Sequence, residues 1–182
     1  MSGKFSFHLG SPDSRRQLPP KVIIGQKENE SATHVLLKLL GFLIFHRERL
    51  RIEMNLHNDN IPFEPDIVEL DYEMRPKLWI ECGDCGVQKL DRLAVKVPEA
   101  EIWVLKRSRS EAEQLCHAMG KAGLRRNRYH LMGFDQAMIE ELLEILRPRN
   151  QVLWVLCDCE PPALQFDFNG LWFDTTFSMF HH

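Results

Sequence analysis

The chain has 182 residues, 44% of them hydrophobic and 27% charged, with a net charge of -3 and a sequence pI of about 6.2. This length allows one well-buried core and leaves little room for a second full domain, so residues 1–182 read as one globular domain. The charge balance excludes a polycation that coats nucleic acid, and no apolar run is long enough to span a bilayer. Met1-Ser2-Gly3-Lys4 lacks the apolar stretch of a signal peptide. Five cysteines without framework spacing point to reduced thiols and a cytoplasmic protein.

In chain order, residues 4–9 and 20–25 read as short strands around a polar loop at 10–20. Residues 29–46 follow as a helix, with Val35, Leu36, Leu39, Leu40 and Leu43 on one face and Asn29 as N-cap. The period then changes to two. Leu50, Ile52, Met54 and Leu56 alternate with polar residues over 49–56, which predicts a half-buried strand, and 57–60 is a turn. Strands at 66–72 and 78–82, a helix at 87–97 and a strand at 101–106 complete the order helix, three strands, helix, strand. Beyond it lie a helix at 110–122 stopped by Gly123, a strand at 129–134, and a helix capped by Asp135 and ended before Pro148. Strands are expected at 151–157, 164–168 and 171–177, the last two joined by an Asn169-Gly170 hairpin turn. The alternation predicts an α/β domain with one mixed central sheet flanked by helices.

Asp66 and Glu81 mark the start of one apolar strand and the end of the next. A carboxylate there is costly to desolvate unless an ion, a partner charge or a substrate compensates it. Two such acids can hold Mg²⁺, or Mn²⁺, against a phosphate, and a neighbouring cation can orient the attacking water. Asp66 and Glu81 are therefore the expected metal ligands, and Lys89 the catalytic cation. Arg92 stands as its neighbour or substitute, and Glu30 assists from the start of the first helix. Lys106, Arg107 and Arg109 follow the strand that should border these acids, which makes them the expected phosphate contacts to DNA or RNA.

The stretch 29–43, Arg47-Glu48-Arg49-Leu50, Glu64-Pro65-Asp66 and Leu78-Trp79-Ile80-Glu81-Cys82-Gly83 resemble the YaeQ family, in that family's order, from residue 29 to about 107. The resemblance implies the PD-(D/E)xK nuclease fold, whose restriction-endonuclease-like core has the αβββαβ order, and a nuclease or phosphodiesterase that uses Mg²⁺. Pro65-Asp66 then matches the superfamily's PD, Glu81 its second acid and Glu30 its helical Glu. Gly83 stands where that pattern has Lys, so the cation is expected on the following helix, at Lys89 or Arg92. A chain that keeps the fold without catalysis, as a binding or regulatory module, is the alternative.

Cys82 and Cys85 have CxxC spacing, and Cys157 and Cys159 form a second pair. A four-thiolate zinc site is conceivable, but buried thiols fit an apolar strand better. The four tryptophans lie in strand-like runs and read as core. His34 and His46 receive no role, and His181 and His182 read as a disordered end.

Overall fold

The computed structural model describes residues 3–182, so Met1 and Ser2 lie outside the described part. The elements in order are β1 (Gly3–Gly10), β2 (Lys21–Gln26), α1 (Ala32–Ile44), β3 (Leu50–Ile52), β4 (Ile67–Leu70), β5 (Pro76–Cys82), α2 (Val87–Lys96), β6 (Glu101–Lys106), α3 (Arg109–Ala122), β7 (Tyr129–Gly133), α4 (Gln136–Ile145), β8 (Arg149–Cys159), β9 (Pro162–Phe168), β10 (Leu171–Thr175) and β11 (Ser178–His181). No helix among the described residues is long and apolar enough to cross a membrane.

The expected single central sheet is in fact two mixed sheets. One has the order β10-β9-β8-β1-β2, the other β11-β7-β6-β5-β4-β3. The cause is a long-range pairing that periodicity cannot reveal. β8 runs parallel to β1, with Ser6 opposite Arg149, so β8, β9 and β10 build their own sheet with the N-terminal hairpin.

α1 lies between the sheets. Every residue from Val35 to Leu43 is buried, which a helix touching only one layer would not need. Its side chains share one apolar cluster with Phe7, Ile24 and Trp154 of the first sheet and Ile67, Leu78 and Ile80 of the second. Gly41 permits this close approach: a Cβ there would sit 2.7 Å from Leu105 Cδ1 and 2.8 Å from Ile67 Cδ1. α2 and α3 cover the other face of the second sheet, over Val68, Trp79, Ile102 and Val104.

Several local expectations change. The first helix begins after Ser31, not Asn29, and the Ser31 side chain accepts from His34 N. The alternating strand at 49–56 shortens to β3, because Glu53 adopts a φ of 51° and leaves the ladder. The strand at 171–177 shortens to β10, and an unexpected strand, β11, follows it and crosses to the edge of the second sheet, antiparallel to β7. The chain end is ordered: His182 is 4% exposed and exchanges backbone hydrogen bonds with Tyr129. Trp79 and Trp154 are core, but Trp172 is 51% exposed on the outer face of the first sheet. Asn169 and Gly170 (φ 53° and 89°) form the expected turn.

Candidate functional site

β5 and β6 are parallel, so their C-terminal ends lie side by side. The starts of α1, α2 and α3 converge on that edge, a placement that favours ligand binding in α/β sheets. A cleft of about 620 Å³ opens there, lined by Glu30, His34, Asp66, Glu81, Lys89 and Arg107, among others.

Asp66 precedes β4. Its Oδ2 accepts from the backbone N–H of Cys82 at 2.7 Å, and its Oδ1 lies 2.8 Å from His34 Nε2. Glu30 precedes the Ser31 cap. Its Oε1 is 3.8 Å from the same His34 nitrogen, while Oε2 accepts from Lys38 Nζ at 2.8 Å. One ligand atom from each of Glu30, His34 and Asp66 lies within 4.8 Å of the other two. Glu81 ends β5 beside them but outside this tight group. Its two oxygens accept from Trp79 Nε1 at 2.8 Å and Lys89 Nζ at 2.7 Å.

The surroundings drive the two strand-end acids apart. Burial raises the pKa of Glu81, and the negative charge of Asp66 adds to this against the pull of Lys89. Burial also pushes Asp66 upward, but the hydrogen bond and charge of His34 and the Cys82 N–H outweigh it, leaving Asp66 below the ordinary carboxylate value. Glu30 is likewise lowered, because Lys38 and the Lys27 N–H overcome its burial. Lys38 is fully buried yet raised, since Glu30 and Glu53 together outweigh its desolvation.

Four of the residues singled out in the sequence meet in the cleft: Asp66, Glu81, Glu30 and Lys89. Arg107 lines it as well. Arg92 does not; it is exposed further along α2 and outside the lining. Lys106 is turned inward, with Nζ donating to the Gly83 carbonyl at 2.6 Å. Arg109 is exposed on α3 and pairs with Glu113. Sequence reasoning missed His34, Lys38 and Glu53. The signal for the first two was available: Glu30, His34 and Lys38 recur every fourth residue, a polar stripe along an otherwise apolar helix. The two cysteine pairs lie in or beside different sheets and form no cluster of ligand atoms with each other. Burial raises the Cys82 thiol well above its ordinary value and pushes Cys85 up to about 12.

Two mixed sheets around a buried helix, with a carboxylate and imidazole cleft at the C-terminal strand ends, define an α/β protein with a potential cation site. The chain belongs to the YaeQ family, whose model, described as "YaeQ protein", matches residues 4–159. Its fold is similar to the crystal structure of the YaeQ protein from Xanthomonas axonopodis pv. citri, at 18% identity and a TM-score of 0.72 over 100% of this chain and 99% of that one. It is also similar to the YaeQ protein from Pseudomonas syringae, at 16% identity and a TM-score of 0.73 over 100% of this chain and 96% of that one. No curated protein matches the chain.

Proposed function

We propose that this chain is a metal-dependent phosphodiesterase of PD-(D/E)xK type, acting on nucleic acid. The observation that carries the reading is the meeting of Asp66, Glu81 and Lys89 in one cleft, although they come from a loop, a strand and a helix. The run α1-β3-β4-β5-α2-β6 supports a restriction-endonuclease-like core.

The donor set fits a divalent ion. Two carboxylates and an imidazole are close enough to share one, and Glu81 stands next to them. Mg²⁺ prefers oxygen donors, whereas the imidazole of His34 suits a first-row transition ion, so Mn²⁺ fits this set at least as well. Six carboxylates line the cleft (Glu30, Glu64, Asp66, Glu81, Asp84, Glu111) against three fixed cations (Lys27, Lys89, Arg107). A phosphodiester would be repelled from so acidic a surface, so its binding depends on prior binding of the ion. The ion, when bound, supplies charge neutralisation at the phosphate and a lowered pKa for a coordinated water.

The chain's own groups do the rest. The Cys82 N–H and His34 hold Asp66 in one orientation, and Lys38 holds Glu30. Lys89 Nζ is 2.7 Å from Glu81 and half-buried at the cleft wall, where it can donate to a phosphate oxygen or steady an attacking water. Arg107, free to swing from its pair with Glu111, supplies a second phosphate contact.

The test is cleavage of single- and double-stranded DNA and RNA by the purified chain with Mg²⁺ or Mn²⁺. Cleavage is expected with the native chain and is reduced at least about a hundredfold in Asp66→Ala and Glu81→Ala. Equal cleavage by both variants, or none by a native chain that demonstrably binds the ion, overturns the reading.

A further inference from the structure

We infer that His130 and His181 form a second metal site, a two-imidazole chelate for a late first-row divalent ion such as Cu²⁺ or Zn²⁺. It lies at the far end of α1 from the cleft, about 20 Å away by the helix rise. It is independent of the nuclease reading.

The two residues face each other across the β7–β11 ladder. Their Nδ1 atoms are 3.2 Å apart, with ring centroids at 4.6 Å. Metal–imidazole bonds of about 2.0–2.1 Å spanning that separation subtend roughly 100–106°, close to a tetrahedral angle. His130 is held ready for this. Trp103 stacks on it at 4.7 Å and 18°, and Phe45 packs against Trp103 at 4.9 Å. The Trp103 indole N–H donates to Glu101 Oε1 at 2.7 Å, and that oxygen lies 3.9 Å from His130 Nε2. At that distance the carboxylate makes no hydrogen bond to the ring, and its negative charge favours a bound cation.

The His130 side chain is 33% exposed and His181 is exposed, so an ion can enter and water can complete its shell. One N–H···N hydrogen bond would also fit a 3.2 Å spacing, and the experiment separates the two.

Cu²⁺ is titrated into the purified chain, following tryptophan fluorescence and, in parallel, heat. Saturable quenching at one equivalent is expected, because Trp103 touches the ligating ring. It persists in the double variant His34→Asn/Asp66→Asn, which removes two of the cleft's three ligand side chains. His130→Asn and His181→Asn each weaken Cu²⁺ at least about tenfold. Trp103→Phe removes most of the quenching while calorimetric binding remains. His181 is an exposed strand position, so its variant stays folded and is decisive if His130→Asn is not. Absence of saturable binding, or affinity unchanged in His181→Asn, overturns the site.

Discussion

The two ends of α1 meet the same sheet in different chemical settings. At the N-terminal end, Glu30, His34 and Lys38 enter a web of charges with Asp66 and Glu53, where nearly every side chain is partnered by an opposite charge. At the C-terminal end, Phe45, Trp103, His130 and His181 form a row of rings in contact through their faces and edges. In the first region burial is tolerated because each ion has a partner, so removing one partner leaves an uncompensated charge. In the second the groups are rings in mutual contact and partly exposed, so the loss of one ring removes only its contacts. The contrast teaches that polar residues at the sheet's two ends are held by different forces and should respond differently to mutation, pH and metal.

The strongest way to break this contrast is Lys38→Met. It leaves Glu30 and Glu53 facing each other without their shared cation and should cost about 3 kcal/mol in urea unfolding. His130→Asn, at the other end, should cost under about 1 kcal/mol in the same measurement. Comparable losses would remove the distinction. Next comes Gly133→Ala. Its Cβ would lie 2.6 Å from the Ser108 carbonyl and 2.7 Å from Arg109 Cα, backbone that cannot step aside. A loss of about 2 kcal/mol is expected, with the start of α3 and Arg107 displaced from the cleft. Ser31→Ala removes the cap of α1 beside the acids and should cost about 1 kcal/mol.

The smallest effect concerns pH. Glu81 is raised above its unfolded value of 4.5, so its contribution to stability is greatest below pH 4.5 and is lost as pH rises through the folded value. Asp66 is lowered below 3.8, so its contribution is present above that value and is lost only as pH falls through the folded one. Glu81→Gln should therefore gain stability relative to the native chain on going from pH 4.5 to 7, measured by urea unfolding at both. A flat difference would remove the assigned burial effect.

Much of the core was legible in the sequence because it rests on local periodicity. The apolar spacing of α1, the run β4–β5–α2–β6 and the Asn169-Gly170 turn depend on neighbours in sequence. Asp66 and Glu81 stood out because acids at apolar strand ends are costly. What escaped depends on distant partners. Nothing local to β8 says that it pairs with β1, and nothing near Ser178 sends β11 to the other sheet. Trp172 was misplaced because alternation tells one face from the other but not which face is covered. Gly83 was read as a missing Lys; its φ of 73° lies in the left-handed region that glycine adopts freely, so a Lys there would strain the backbone.

The parallel seam between β1 and β8 has a consequence for biosynthesis. Ser6 and Pro148, bonded to each other at that seam, are 142 positions apart. At ribosomal speeds of roughly 5–20 residues per second, the N-terminal hairpin waits on the order of ten seconds for its neighbour to emerge. Throughout translation it presents an open strand edge to other nascent chains. Ribosome-stalled fragments ending before β8 should accordingly be the ones that trigger-type chaperones hold longest.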